Sequence, residues 1–196
     1  MYEVEIKFPA PDTAAIERRL AGLAAVWLEP VEQIDRYFAH PCRDFARTDE
    51  ALRLRRDGDA VAITWKGPRI DAATKTRRAI ELPLAAALPQ RGDVGHPAEL
   101  VVERWTELLE ALGFRPVATV AKRRRPARVS WQEAEVEVVL DCVAGLGDFV
   151  ELELQAVEAD VPRARACLES LARQIGCGAA ERRSYLELLL ESRGTR

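Results

Sequence analysis

The sequence predicts an α+β protein built as a closed antiparallel β tunnel of about eight strands, with helices packed outside. Charged and apolar side chains alternate from the start of the chain, where Glu3, Glu5 and Lys7 follow at a spacing of two. On a strand, this spacing sends all three charges to one face. Helical segments with apolar stripes accompany the strands, and such stripes need a sheet to cover. Closure into a tunnel would also remove exposed sheet edges.

In the first half of the chain, the predicted elements after the opening strand are a helix, an extended segment, a hairpin and a further strand. The helix begins after Asp12, which can cap it. Pro41 breaks regular structure after the extended segment, and Asp57, Gly58 and Asp59 make the tight turn of the hairpin. In order, the helix, the extended segment, the hairpin and the further strand cover about residues 13–24, 26–39, 51–66 and 74–84.

The second half is predicted to contain a helix, three strands and two closing helices. Pro97 suits the first turn of the first helix, and Gly113 suits its end. Gly176 ends the next-to-last helix in the same way. In order, the six elements cover about residues 97–113, 114–129, 133–141, 148–157, 160–176 and 185–190.

Length and composition limit the classes of protein to which the chain can belong. With 196 residues and 48% hydrophobic content, the chain can bury its own core, and we expect residues 1–196 to form a single domain. The net charge of -3 gives no overall basic field, so no nucleic-acid partner is expected. No apolar run approaches transmembrane length, which predicts no membrane association.

The cysteines and the N-terminus indicate where the protein works. No apolar signal region opens the chain, and no two cysteines form a C-x-x-C pair. We therefore expect a cytoplasmic protein with reduced thiols. A structural zinc site is not expected, because no cluster of histidine and cysteine completes a tetrahedral ligand set. The four cysteines are Cys42, Cys142, Cys167 and Cys177.

Strand parity predicts a tunnel lined by charges of both signs. Burying so many ions without partners would cost several kcal/mol each, so the ions must be hydrated, paired or bound to a charged ligand. A polyanion would satisfy the cations. Carboxylates without histidine or cysteine company suit Mg²⁺ or Mn²⁺. The side chains expected to point inward are Glu3, Glu5, Lys7, Arg53, Arg55, Lys66, Arg77, Glu81, Lys122, Arg124, Asp141, Glu151 and Glu153.

Cations beside a separate carboxylate cluster are what phosphoryl or nucleotidyl transfer requires. No P-loop and no G-x-S-x-G motif is present, so P-loop chemistry and acyl transfer lack support. Taken alone, Arg53 and Arg55 would more often be a solvated strand face. The basic run that begins at Lys122 could instead be a nucleic-acid patch, but no aromatic residue interrupts it.

An ordered set of motifs over essentially the whole chain resembles the CYTH family, the triphosphate tunnel metalloenzymes. This resemblance implies an eight-stranded antiparallel tunnel that binds a small-molecule triphosphate with a divalent metal. The motifs are Glu3-x-Glu5-x-Lys7, Gln33-x-Asp35-x-Tyr37-Phe38, Leu52-Arg53-Leu54-Arg55, Lys66-Gly67-Pro68, Lys122-x-Arg124, Asp141 followed by Gly145-Leu146-Gly147-Asp148-Phe149-Val150-Glu151, and Ser184-Tyr185.

The resemblance also implies roles for individual residues. Carboxylates would hold Mg²⁺ or Mn²⁺, namely Glu3, Glu5, Asp141, Glu151 and Glu153. Cations would grip the triphosphate, namely Lys7, Arg53, Arg55, Lys66, Lys122 and Arg124. We add Arg77 to the cations on strand parity, and we predict Lys7 and Arg55 as the catalytic residues.

Two reactions remain open. The loop after His40 and the Gly-Leu-Gly-Asp-Phe stretch are most similar to class IV adenylate cyclases, which turn ATP into cyclic AMP and pyrophosphate. A paired Glu-x-Glu such as Glu151 and Glu153 is common in the related triphosphatases, which hydrolyse thiamine triphosphate or inorganic triphosphate. One departure is Ala79, where many relatives carry a carboxylate.

A third hypothesis is a non-catalytic module that binds polyphosphate. The carboxylates argue against it, because they would weaken binding of an anion unless a metal lay between them. As to assembly, a monomer or a homodimer is expected.

Overall fold

The computed structural model describes residues 2–69, 77–84 and 97–194. Over these residues the chain forms one antiparallel sheet and several helices. The strands are β1 (Tyr2–Pro9), β2 (Val26–Trp27), β3 (Val31–Ala39), β4 (Ala51–Asp57), β5 (Ala60–Arg69), β6 (Arg77–Leu84), β7 (Arg115–Trp131), β8 (Ala134–Val143) and β9 (Gly147–Ala156). The α-helices are α1 (Thr13–Gly22), α2 (Phe45–Thr48), α3 (Pro97–Ala111), α4 (Val161–Ile175) and α5 (Tyr185–Gly194).

The sheet confirms the antiparallel α+β prediction but corrects the closed tunnel. Strands follow one another in the order β1-β9-β8-β7-β3-β4-β5-β6, with the short β2 beside β7. The sheet curves through 225° and stays open as a half-barrel, with β1 and β6 at its edges. Across the gap between the two edges, Nζ of Lys66 on β5 lies 4.0 Å from Oε1 of Glu3 on β1.

The open edge has a physical reason. Closure requires strand tilt and stagger to match around the whole ring, and the period-two alternation of a sequence carries no information about either. Pro83 in β6 has no N–H to donate, which suits an edge strand. The alternation therefore predicted the charged face correctly and the closure wrongly.

Most predicted elements are found with shifted ends. The hairpin is β4 and β5, joined at Gly58 and Asp59. The strand predicted for residues 74–84 begins at Arg77, and residues 74–76 lie outside the described residues. α5 is longer than its predicted six residues or so, because it continues to Gly194.

α1, α3 and α4 pack on the convex face of the sheet, whereas α5 lies against one end of the concave face, which holds the site. α4 and α1 pack on β1, β8 and β9, where Leu20, Leu152 and Leu168 are fully buried. α3 covers β4 and β5 through residues such as Leu54 and Leu109. Among the described residues, no helix is long and apolar enough to cross a bilayer.

Candidate functional site

The concave face encloses a cavity of about 610 Å³. This volume is typical of pockets that bind small molecules. All of the predicted site residues except Asp141 line it. The lining residues from the prediction are Glu3, Glu5, Lys7, Arg53, Arg55, Lys66, Arg77, Lys122, Arg124, Glu151 and Glu153.

Strand register explains why these side chains meet. Partners in an antiparallel ladder point to the same face of the sheet. Glu5 lies opposite Glu153, and Asp35 lies opposite Arg55. Because the register pairs charged positions with charged positions, one face of the sheet collects both signs.

We call the four cations Arg53, Arg55, Lys122 and Arg124 the basic wall; they stand on β4 and β7. Asp35 of β3 holds the β4 pair. Arg55 donates from Nε to Oδ1 and from Nη2 to Oδ2, both at 2.7 Å, and Arg53 donates from Nη1 to Oδ2 at 3.3 Å. Two parallel bonds fix a guanidinium in orientation as well as in place.

Electrostatics keep this cluster ionised. Burial alone would raise the pKa of Asp35, but the charges of Arg53 and Arg55 and the hydrogen bond from Arg55 outweigh it. The pKa of the carboxyl therefore lies well below its usual range. Desolvation alone would lower the pKa of Arg53, but Asp35, Tyr37 and Glu81 together outweigh it and raise the pKa of that guanidinium. Asp35 and Arg53 therefore both stay charged at neutral pH.

Asp141 of β8 holds the β7 pair in a comparable way. Lys122 Nζ lies 3.2 Å from Oδ2, and Arg124 donates to both oxygens at 2.9 and 2.6 Å. The hydroxyl of Tyr185 donates to the same Oδ2 at 3.0 Å. Asp141 is 1% exposed and lies behind the cations rather than in the cavity lining. The predicted metal ligand therefore has both oxygens engaged by protein donors.

The buried lysine and tyrosine of this cluster are perturbed in the expected directions. Burial lowers the pKa of Lys122, and the neighbouring charge of Arg124 lowers it further. Burial and the carboxylates Glu151 and Asp141 raise the pKa of Tyr185. Tyr185 therefore stays protonated and remains a donor to Asp141 across the physiological range.

We call the three carboxylates Glu3, Glu5 and Glu153 the acidic wall; they stand on β1 and β9. Burial raises the pKa of Glu153 to about 7, and the charges of Glu3, Glu137 and Glu5 contribute to this shift. Glu137 of β8 lies opposite Glu153 in the ladder. The acidic wall thus concentrates like charges around one half-buried carboxylate.

This donor set fits a hard divalent cation in chemistry and charge. Carboxylate oxygens are the ligands that Mg²⁺ and Mn²⁺ prefer, and a cation beside Glu153 would remove the repulsion that raises its pKa. As the side chains stand, no three His, Cys, Asp or Glu groups within residues 2–69, 77–84 and 97–194 converge on one point. An ion would be held only after these side chains turn toward it.

Glu151 joins the two walls. Its Oε2 accepts a hydrogen bond from Arg124 Nη2 at 2.5 Å, and its backbone lies opposite Lys7 in the ladder between β1 and β9. The side chain is largely buried, with 11% of it exposed. Glu151 therefore contacts a cation of the basic wall and also lines the cavity.

Lys7 lies at the end of the cavity that α5 covers. It is 1% exposed, its ammonium donates to the carbonyl of Arg183 at 2.6 Å, and it stands 3.9 Å from the ring centroid of Tyr185. The backbone carbonyl of Lys7 accepts from the N–H of Glu181 at 2.7 Å. The predicted catalytic lysine is therefore also the point where the C-terminal segment is attached to β1.

A capping box begins α5 beside this contact. The N–H of Ser184 donates to Glu187 at 2.5 Å, and the N–H of Glu187 donates back to the hydroxyl of Ser184 at 3.1 Å. Such reciprocal bonds satisfy free backbone donors in the first turn of a helix. They fix the position of Tyr185, the first residue of α5, against Asp141.

The remaining predicted residues lie on β5 and β6. Burial and the charge of Arg53 lower the pKa of Lys66. Ala79, the departure noted in the sequence, lies directly opposite Lys66. Glu81, two residues further on, accepts a hydrogen bond from Thr64 at 2.9 Å. Arg77 donates to the backbone carbonyl of Asp49 at 3.2 Å.

Three residues that shape the site had no role assigned from the sequence, although Asp35 and Tyr185 stand in the motifs that resemble the CYTH family. Asp35 stands at the same parity as the neighbouring motif positions, and this signal could have placed it inward. Glu137 shares parity with Asp141 on β8, which could have added it to the acidic side. The motif that contains Tyr185 does not predict its contact with Asp141, because that contact joins positions 44 residues apart.

Known proteins resemble the chain in sequence. It matches the CYTH domain over residues 1–185. A Methanocaldococcus jannaschii protein named "Putative adenylate cyclase MJ0240" is 32% identical over 193 residues, which span 96% of this chain and 98% of that protein.

Solved structures resemble it in fold. The PH1819 protein of Pyrococcus horikoshii OT3 has a TM-score of 0.79 and 39% identity, and the match covers 97% of this chain and 99% of that one. The protein HpAC1 of Hippeastrum, described as having a dominant triphosphatase activity, has a TM-score of 0.63, with 98% of this chain and 96% of that one covered. At 18% identity this second likeness shows the fold alone.

The half-barrel, the charged cavity and the ordered motifs agree with these matches, and the match to the family spans nearly the whole sequence. The protein belongs to the CYTH domain family.

Proposed function

We propose that the protein is a divalent-metal-dependent enzyme that acts on a triphosphate in this cavity, with ATP converted into cyclic AMP and pyrophosphate. The observation that supports it most is a basic wall whose cations are oriented before any ligand binds, facing an acidic wall across one cavity. The name of the M. jannaschii relative supports the cyclase among the possible reactions.

The cations have the first role, binding the triphosphate. A guanidinium carries five N–H donors, and Asp35 engages two of those of Arg55, so the remaining donors of Arg55 are left for phosphate oxygens. Groups that are already oriented need no reorganisation when the ligand arrives. The residues proposed to bind the triphosphate are Lys7, Arg53, Arg55, Lys66, Arg77, Lys122 and Arg124.

The carboxylates have the second role, holding Mg²⁺ or Mn²⁺. We assign Glu3, Glu5 and Glu153 to this task, with Glu151 completing the set from the junction of the walls. A bound divalent cation supplies charge neutralisation for the phosphates and orients them. Asp141, which the family resemblance also implies as a ligand, is proposed to act here chiefly by orienting Lys122 and Arg124.

The cyclase reaction needs no nucleophile from the protein. The ribose 3′-oxygen attacks the α-phosphorus and loses its proton, the bond from the α-phosphorus to its bridging oxygen breaks, and pyrophosphate leaves. Lys7 and Arg55 are proposed as the catalytic residues, because they can stabilise the negative charge that develops on the phosphate oxygens.

A second candidate is a triphosphatase, in which water attacks a terminal phosphorus of thiamine triphosphate or inorganic triphosphate. One observation favours it: Glu151 and Glu153, the paired glutamates typical of triphosphatases, both line the cavity. The two reactions use the same phosphate and metal contacts, so the products decide between them.

Product analysis tests the proposal directly. Purified protein is incubated with Mg²⁺ or Mn²⁺ and, separately, with ATP, thiamine triphosphate and inorganic triphosphate, and the products are separated by chromatography. Cyclic AMP with pyrophosphate supports the cyclase. Orthophosphate without cyclic AMP supports the triphosphatase. A protein that binds triphosphate without turning it over, and does so without metal, would instead be a polyphosphate-binding module.

A matched pair of variants shows whether the products arise in this cavity. Arg55→Ala removes a guanidinium that lines the cavity, whereas Arg56→Ala removes its neighbour on β4, which does not line it. The proposal expects activity to be lost in the first variant and kept in the second. Equal activity in both variants would place the reaction elsewhere.

A further inference from the structure

The buried carboxylate of Asp35 has no role in the proposed chemistry so far. We propose that Asp35 is a positioning residue, which fixes Arg55 and Arg53 in the orientation that receives the triphosphate. This inference rests on the proposed function and adds a residue that acts on substrate only through the two arginines.

Contact geometry is the first argument. Arg55 meets Asp35 through two bonds of 2.7 Å, which is the bidentate arrangement of a guanidinium on a carboxylate. Arg53 shares Oδ2 at 3.3 Å. One carboxylate therefore sets the plane of one guanidinium and the position of another.

Backbone register makes the arrangement rigid. Asp35 and Arg55 are direct partners in the ladder between β3 and β4, and Tyr37 and Arg53 are the next pair on the same face. β3 is an interior strand, hydrogen-bonded to β7 on its other side. A positioning group on an interior strand moves little, as a preorganised site requires.

Burial is the third argument. Asp35 is 2% exposed, so its carboxylate meets the arginines away from competing water. The ionisable groups that interact with it are Arg53, Arg55, Lys122 and Tyr37. The carboxylate thus separates three positive charges that would otherwise repel one another.

The guanidiniums keep capacity for a ligand. Arg53 and Arg55 both line the cavity, with 11% and 17% of their side chains exposed. The negative charge of Asp35 weakens the attraction for an anion. The orientation it imposes outweighs that loss, because a displacement of about 1 Å in a positioned group can cost on the order of 10²-fold in rate.

A double-mutant cycle on kcat/KM tests the inference. Asp35→Asn keeps the shape and removes the charge, and we expect it to lower kcat/KM for the triphosphate substrate by about 10²-fold. In the Arg55→Ala background the same change is expected to cost less than about threefold, because the guanidinium that Asp35 holds by two bonds is gone and only the 3.3 Å contact with Arg53 remains. Asp35→Glu, which keeps the carboxylate, is expected to recover part of the activity.

The control separates positioning from folding. Asp57→Asn removes another carboxylate from the same ladder, one that accepts a hydrogen bond from Gln33. It is expected to leave kcat/KM unchanged. Tm and near-ultraviolet circular dichroism are recorded for every variant, and a variant that unfolds is replaced in the cycle by Asp35→Ser.

Each outcome either supports or overturns the inference about Asp35. A full loss from Asp35→Asn in the Arg55→Ala background would mean that Asp35 does not act through Arg55, and the inference would be wrong while the proposed function stood. Unchanged activity of Asp35→Asn would overturn it too. If the wild-type protein neither turns over nor binds inorganic triphosphate, ATP or thiamine triphosphate, the proposed function itself fails, and the inference falls with it.

Discussion

On the basic wall, buried aspartates hold the cations in pairs, whereas on the acidic wall Glu153 is surrounded chiefly by other glutamates. Asp35 sits below Arg53 and Arg55, and the pKa of its carboxyl is lowered. Glu153 lies among Glu3, Glu5 and Glu137, and its pKa is raised. The same sheet therefore pairs the cations of the basic wall with buried aspartates, whereas Glu153 carries the cost of burial and the repulsion of neighbouring glutamates.

This difference indicates which kind of ligand would bind to each wall. Under the proposed function, the cations of the basic wall are already oriented by Asp35 and Asp141, so an anion would bind them without rearrangement. The acidic wall lowers its electrostatic energy when a cation joins it, or when Glu153 takes up a proton. A metal triphosphate would complement the charges of both walls, with its oxygens toward the arginines and its metal toward the glutamates.

The largest expected effect comes from removing a carboxylate of the acidic wall. Glu5→Ala is expected to abolish turnover, because a proposed metal ligand is lost, while Tm stays equal or rises as repulsion is relieved. Glu151→Ala is expected to abolish turnover as well. Rates and thermal unfolding of the metal-free proteins give the measurement.

Glu32→Ala is the matched control for Glu5→Ala, since Glu32 is an exposed glutamate on β3 that does not line the cavity. It should keep wild-type rates. If Glu5→Ala unfolded, or if it kept full activity, the acidic wall would be a structural rather than a catalytic feature.

The next effect comes from the basic wall. Arg55→Ala is expected to lower kcat by about 10²-fold or more, the scale of losing one preorganised charge-stabilising group. Asp35 would then keep its weaker contact with Arg53 alone, so some loss of stability should accompany the loss of rate. Steady-state kinetics beside Arg56→Ala provide the test, and equal rates for the two variants would contradict it.

A smaller effect concerns the pH dependence of stability that Glu153 confers. The ordinary pKa of the group is 4.5, and in the folded protein it is about 7. The folded state therefore binds the proton more tightly than the unfolded chain does, and stability falls as the pH rises from 4.5 to about 7. Thermal unfolding of chelator-treated protein across this range would show the decline.

Glu153→Gln serves as the comparison for that decline, because its side chain cannot titrate. Its Tm should vary less with pH than that of the wild type over the same interval. Added Mg²⁺ should flatten the wild-type curve by neutralising the carboxylates. A wild-type curve as flat as that of the variant in chelator would show that Glu153 is not under repulsion.

The smallest effect has the opposite sign and belongs to Asp35. The folded-state pKa lies below the ordinary value of 3.8, so the contribution of this carboxylate is fully present above 3.8 and is lost as the pH falls further. Urea unfolding of the wild type and Asp35→Asn should therefore differ most near neutral pH and converge in acid. A constant difference down to about pH 2 would argue that Asp35 stabilises the fold without its charge.

Local pattern was sufficient for much of the site. The spacing of two placed Glu3, Glu5 and Lys7 on one face, and the structure brings all three to the cavity. For Asp141, strand parity predicts the face of the sheet but not the depth of the side chain. Parity sent it inward correctly, but its depth behind Lys122 and Arg124 depends on how three strands and α5 pack around it.

By itself the sequence determined the antiparallel α+β class, the face on which the charges gather and the family to which the chain belongs, because these follow from short-range alternation and ordered motifs. The tertiary structure alone decided that the sheet stays open, that Asp35 and Asp141 anchor the cations, and that Lys7 is tied to the segment before α5. The physical reason is the separation along the chain of the residues that interact. Alternation is a property of neighbouring residues, whereas closure, burial and ion pairing join residues far apart in the chain, and their energies depend on how the whole sheet curves and packs.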